Sequence, residues 1–489
     1  MMSRELPEFP SLEHLKKQAK DLLHAGRATK LVEAQRLVAQ DYGFPSWAKL
    51  KVHVESFAAD PRLAFNAAIR SHSVTNVARV LERFPEFKSR LNEALAGDGF
   101  GLLPIVEAAE HRDREIVDLL VRSGADINAV NDWWAGGFGV LDASPRDMIE
   151  FLLDRGATMT AHAAARLGRL DDLARIVSAD PSVVHKRGGD GQTPLHFAST
   201  VDAAKLLVDR GADIDARCVD HESTPAQWMI RDRQEVARYL VSVGCRTDIL
   251  MCSALGDLER VRAHLDADPD SIHTAVDRAH FPMRDPRAGG TIYQWSLGAF
   301  KTPHLIAREF AHEDVFDLLM SRSPVSLRLT TACELGDDAT VDALIRDNPG
   351  LVSRLTDDER RRAALAAELN DTRAVRTLLR AGWPVDALTN PHGASALHWA
   401  GFHGNVEMVK EILRYRPPLE LVEKQFGGTP LTWTSYGSVH GYAKNANYPA
   451  AMEALLDAGV PVPDLDAIGG TEEVRDLIRA RAGLPKRRS

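Results

Sequence analysis

The clearest acid–base potential in the sequence lies in Asp190 and in the run Asp220-His221-Glu222. Two carboxylates flanking a glycosidic bond suffice to hydrolyse it when they stand about 5 to 9 Å apart, one as acid and the other as base or nucleophile. Asp190, Asp220 and Glu222 are therefore the catalytic candidates of a hydrolytic reading. Against this stands the common fate of charged turn residues, which is simply to be solvated. His398 and His403 are spaced i, i+5, which does not put them on one helix face, and no third ligand is near in the sequence. No metal site is assigned to them. There is no P-loop, no G-x-S-x-G elbow and no G-x-G-x-x-G after a strand, and Gly289-Gly290 and Gly427-Gly428 read as turn glycines. No catalytic motif is found and no cofactor is implied.

The elements that hold these residues repeat. Ser395-Ala396-Leu397-His398 and Thr429-Pro430-Leu431-Thr432 stand thirty-four residues apart (429 minus 395), each after a glycine-bearing turn and each opening a helix. Related openings occur at Thr193 (TPLHFAST), Thr224 (TPAQWMIR) and Thr302 (TPHLIARE). In each, the hydroxyl caps the helix N-terminus, and proline at the first helical position loses nothing by lacking an N–H. Between them come units with a small-residue helix, a glycine and an Asp-Pro or Asn-Pro turn, at 161–181, 251–269 and 331–349. Their glycines, Gly168, Gly256 and Gly336, fall 88 and 80 residues apart (256 minus 168, 336 minus 256), so a larger unit is itself repeated. Gly124, Gly156, Gly211 and Gly459 stand where second helices need a left-handed cap.

This pattern resembles the ankyrin repeat, whose hallmark is a T-P-L-H-x-A motif at a period of about 33 residues. The resemblance implies an all-α solenoid of about twelve helix pairs with helical end caps. One hairpin cannot bury an apolar set such as Ala400, Val406, Val409, Ile412 and Leu413, so neighbours must stack on it. Residues 1–58 read as an N-terminal helical cap, similar to the leader of many bacterial ankyrin-repeat proteins. Its first helix carries Leu12, Leu15, Ala19, Leu22 and Leu23, with Ser11 as N-cap and Gly26 as stop; a second lies near 30–42 and a third follows Phe44-Pro45-Ser46-Trp47. Residues 59–463 form the repeats, and 464–489 a cap helix opened by Thr471-Glu472-Glu473 and a basic tail, Lys486-Arg487-Arg488.

The resemblance also implies a concave groove lined by finger tips and first helices. Carried over, its lining is Asp190, Gln192, Asp220, His221, Arg231, Phe402, His403, Phe426 and Tyr436, while Trp133, Trp134, Tyr293 and Trp295 add rings on fingers. For a chain only 6% aromatic this is an enriched set, of the kind that anchors interfaces. In the family, histidines placed like His196, His304 and His398 hydrogen-bond between neighbouring fingers, and Trp228, Trp399 and Trp433 are expected in the core. Two stretches depart from the pattern, an overlong finger at 274–301 and an insertion at 436–449 separating the helices of one unit. They add Tyr293, Trp295, His440 and Tyr442 to the binding candidates. The leading expectation is a non-enzymatic scaffold that captures a protein partner. The competing one is a small-molecule or carbohydrate site, hydrolytic in its strongest form, closed by the two insertions over Asp220 and Glu222.

Composition excludes other classes. A net charge of −9 opposes nucleic-acid and anionic-membrane surfaces, which need basic patches. The cysteines, Cys218, Cys245, Cys252 and Cys333, form no C-x-x-C pair and read as core thiols of a reducing compartment. No run of about 18 apolar residues and no signal-like N-terminus occurs, so a cytoplasmic location is expected.

Overall fold

In the computed structural model, which describes residues 12–55, 60–95, 99–389, 393–462 and 469–484, each tetrad opens a helix by the chemistry of its own residues. The hydroxyls of Thr224, Thr302 and Thr429 accept the N–H of Gln227, Leu305 and Thr432 at 3.4, 3.4 and 3.3 Å. At Thr193 and Ser395 a histidine extends the cap. Nδ1 of His196 and of His398 accepts the backbone N–H of Thr193 and of Ser395, both at 3.1 Å. The ring proton must then sit on Nε2, which donates to the carbonyl of Ser223 at 3.1 Å and of Gly428 at 3.2 Å, each on the next finger. His304 departs from this expectation: its Nε2 lies 2.8 Å from the Ser323 hydroxyl at the end of its own hairpin. It stands two residues after its threonine rather than three, which turns it about 100° round the helix.

The small-residue helices Ala161–Leu167, Ile249–Leu255 and Val325–Leu335 stop at Gly168, Gly256 and Gly336, whose φ angles of 71, 67 and 66° are left-handed as expected. Apart from a single antiparallel bridge between Leu388 and Ser395, the described residues hold no strand.

The chain divides into two compact units, one of residues up to Arg246 with Phe281–Ser296, the other of Thr247–His280 with the chain from Leu297 onward. In the first, the helices Leu12–His24, Leu31–Asp41 and Trp47–Glu55 enclose Leu15, Ala19, Ala34, Val38 and Leu50, and the third packs on Pro61–Arg70, the first helix of the repeats. Ser11, the proposed boundaries at 58–59 and 463–464, and the basic tail lie outside the described residues. Phe65, Ile69, Ile105, Leu120, Met148 and Leu152 continue the core through the following hairpins.

In the second unit the hairpins stack in two rows. Arg362–Glu368, Ala396–Phe402 and Pro430–His440 pack in succession, as do Thr372–Arg380, Val406–Leu413 and Tyr448–Asp457. Leu397, Met408, Ile412, Met452 and Leu455 fill the space between, and Val474 and Ile478 of Glu472–Arg481 close that end. The departure expected at 436–449 is smaller than its length implies, because residues 436–440 continue the helix Pro430–His440 and Asn447 caps the next by accepting from Ala450 N at 3.1 Å. The overlong finger is closed at its base, where Val276 N donates to the Lys301 carbonyl at 3.0 Å and Phe300 N to that of Val276 at 2.9 Å.

Candidate functional site

The second unit carries an aromatic groove built by two close helices. Ala396–Phe402 and Pro430–His440 meet where Gly401 faces Thr434 and the Pro430 carbonyl, and where Gly437 faces the Phe402 carbonyl; a Cβ on either glycine would overlap these atoms. The close approach brings Trp399 and Trp433 edge to face at 5.0 Å, stacks Phe402 with Tyr436 at 6.4 Å, and leaves Tyr436 4.2 Å from the His440 ring. Tyr442 closes on Phe402 at 6.2 Å from the loop that follows. Together with Phe426, most of these rings line a cavity of about 640 Å³. Phe426 is 70% exposed, Tyr436 59% and Tyr442 81%, so the wall is apolar yet open to solvent. Trp399 and Trp433 are only partly buried and line the cavity, rather than belonging wholly to the core.

Phe426 is presented by a turn wound about one buried carboxylate. Glu423 accepts the N–H groups of Gln425 at 2.6 Å, Phe426 at 2.8 Å and Gly428 at 2.9 Å. Burial pushes its pKa up, but these donors outweigh burial and hold it below the usual glutamate value. Nothing in the sequence marked Glu423, since a lone glutamate before a glycine turn has no periodic signature.

Several groove candidates are structural instead. His403 is buried, with Nε2 2.8 Å from the Glu368 carbonyl, and burial lowers its pKa. Tyr293 is wholly buried against Phe281 at 5.3 Å, so it is a core residue and not an exposed anchor. Gln192 is buried as well. Trp295 is 73% exposed, and Arg231 is exposed with its Nε donating to the Ser296 carbonyl at 2.6 Å. Tyr293 and Trp295 belong to the first unit with Asp220 and Glu222, whereas His440 and Tyr442 belong to the second.

In the first unit the acid–base candidates converge. Asp190, Asp220 and His221 each offer a ligand atom within 4.8 Å of the other two. One oxygen of each carboxylate thus reaches the same place, on fingers joined where Asp220 N donates to the Asp190 carbonyl at 3.2 Å. Glu222 is not among them: its Oε1 accepts the backbone N–H of Arg284 at 2.7 Å and of Asp285 at 2.9 Å, fastening the long finger. Burial, and then the charge of Asp220, raise the pKa of Asp190, against the pull of His221 and of the Trp133 indole. A second group, His72, Glu107 and His111, also comes within 4.8 Å, at a more exposed place. The groove lining read from the sequence already holds Asp190, Asp220 and His221 together, whereas it does not mark His72, Glu107 and His111.

Residues 161–251 and 329–421 match the family model for ankyrin repeats (3 copies), and residues 100–132 that for the ankyrin repeat. The chain carries ankyrin repeats. The matched segments hold the tetrads at Thr193, Thr224 and Ser395, while Pro430–His440 and the finger 281–296 lie outside them. The crystal structure of the human ASB11 ankyrin repeat domain is similar at 17% identity and a TM-score of 0.26, over 63% of this chain and 100% of that one. A comparison with curated proteins gives no match. Ankyrin repeats generally mediate protein–protein interaction. No helix among the described residues is long and apolar enough to cross a membrane.

Proposed function

We propose that this ankyrin-repeat protein is a binding scaffold that captures a protein partner by an apolar or aromatic segment, seated in the groove between Ala396–Phe402 and Pro430–His440. The observation that carries the reading is the exposure of Phe426 and Tyr436 on one cavity lined also by Trp399, Phe402 and Trp433, with the exposed Tyr442 beside Phe402. Rings held rigid by their neighbours and still open to solvent lose little entropy on binding and bury a large area, which is why such residues dominate interface energetics. In the same reading the protein works in the cytoplasm, in keeping with four buried cysteines outside any disulfide.

The test is retention of partners by immobilised protein, comparing the unaltered chain with F426A/Y436A/Y442A, its fold checked by circular dichroism. The expected result is a set of proteins held only by the unaltered chain. Equal retention of every partner by the folded variant would sink the proposal.

A second reading rests on the cavity itself. About 640 Å³ falls within the range of about 300–1,000 Å³ typical of small-molecule sites, and the lining is mainly apolar with a few polar groups such as Thr432, Ser435 and His440. A thermal-shift screen against sugars and metabolites separates the two. A ligand at a hundredfold its dissociation constant stabilises by about 2.7 kcal/mol, and the shift should vanish in F426A/Y436A/Y442A.

A further inference from the structure

We propose that Asp190, Asp220 and His221 form a divalent-metal site in the first unit, with the geometry and charge to take Zn²⁺. His221 Nδ1 lies 2.8 Å from the Gly290 carbonyl oxygen, which can only accept, so Nδ1 carries the proton. In the neutral ring Nε2 then presents a lone pair, and it points at Asp220 Oδ2, 3.4 Å away, with Asp190 beside them. Three electron-rich atoms facing one another in a place where the Asp220 and His221 side chains are only 11% and 10% exposed are stabilised by a positive charge between them.

A proton on Nε2 would supply that charge by drawing the imidazolium and carboxylate to about 2.7–2.9 Å, the length of a charge-assisted hydrogen bond. The observed 3.4 Å is longer. It equals the ligand–ligand edge of a tetrahedral site, since two atoms each about 2.0–2.1 Å from Zn²⁺ stand about 3.3–3.4 Å apart. Two carboxylates and a neutral imidazole balance a divalent ion.

Every ligand also has the outer partner that metal ligands require. The Gly290 carbonyl orients His221, the Trp133 indole donates to Asp190 Oδ1 at 2.9 Å, and Gly289 N donates to Asp220 Oδ1 at 3.2 Å. These partners come from separate stretches of chain, so the ion fastens the fingers bearing residues 133, 190 and 220 to the segment at 289–290. Three protein ligands leave a fourth position for water or for a carboxylate of a bound molecule.

The experiment uses the full chain, freed of metal with a chelator, and titrates it with Zn²⁺ by calorimetry, with Co²⁺ visible absorption as a spectroscopic check. His111→Ala disables the exposed group at His72, Glu107 and His111 and serves as the control. The expected result is one Zn²⁺ equivalent bound at micromolar or tighter affinity, kept by H111A and weakened at least 100-fold in D190N/D220N, with a tetrahedral Co²⁺ spectrum lost in parallel. If the double variant does not fold, D190N alone decides, because asparagine still accepts from Trp133. The assignment fails if the unaltered chain binds no stoichiometric Zn²⁺, or if the bound equivalent disappears with H111A and survives D190N.

Discussion

The rings of Phe402 and Tyr436 stack with planes 23° apart, on two helices whose backbones touch at Gly401 and Gly437. The width of the groove is therefore set by what the glycines lack. Gly437→Ala places a methyl on the Phe402 carbonyl and must push the helices apart. A loss of about 1–3 kcal/mol in urea denaturation is expected, as for other overpacked sites, together with loss of partner retention.

Phe426 and His403 should behave oppositely. Phe426→Ala removes an exposed ring and is expected to change stability by no more than about 0.5 kcal/mol while abolishing binding. His403→Ala leaves the Glu368 carbonyl without its ring N–H and should cost about 1–3 kcal/mol in the same urea titration.

Glu423 makes the Phe426 turn sensitive to acid. Its folded pKa lies below the ordinary 4.5, so its contribution to stability is complete above pH 4.5 and is lost as pH falls through the folded value. Glu423→Gln should destabilise by about 1.5–3 kcal/mol at pH 7, in line with hydrogen bonds to a charged acceptor. The gap between variant and unaltered chain should narrow in melts recorded below pH 4.5.

His196 gives a wider acid window. Burial pushes its pKa down to about 3 from an ordinary 6.5, so the folded state keeps the ring neutral. The stability that neutrality confers is present above pH 6.5 and is lost progressively as pH falls towards 3. His196→Gln removes the titration and keeps the cap, because Gln227 fills the equivalent place at Thr224 and accepts its N–H at 2.9 Å. The urea midpoint of H196Q is expected to fall less between pH 7 and 4 than that of the unaltered chain.

What was legible in the sequence was local. The cap at Thr429 and the stop at Gly256 depend on residues within a turn of each other, and both appear where their spacing puts them. The exposed rings of Phe426, Tyr436 and Tyr442 were also readable, as aromatic residues where the repeat offers no core. The misplaced residues share a different cause. His403, Tyr293 and His221 are buried by partners at Glu368, Phe281 and Gly290, and the last of these is 69 residues from its histidine. The meeting of Asp190 with Asp220 and His221 follows instead from neighbouring fingers, where Val219 N donates to the Asp190 carbonyl at 2.8 Å, and the repeat made it readable.

The rings of His196 and His398 each reach one finger onward and no further. Mechanical load on a stack linked in this way passes between adjacent hairpins, outside the stretch where Trp133 reaches Asp190 and His221 reaches Gly290. Drawn out from one end, it would give way in small successive steps, and each hairpin released could re-form against the neighbour still standing.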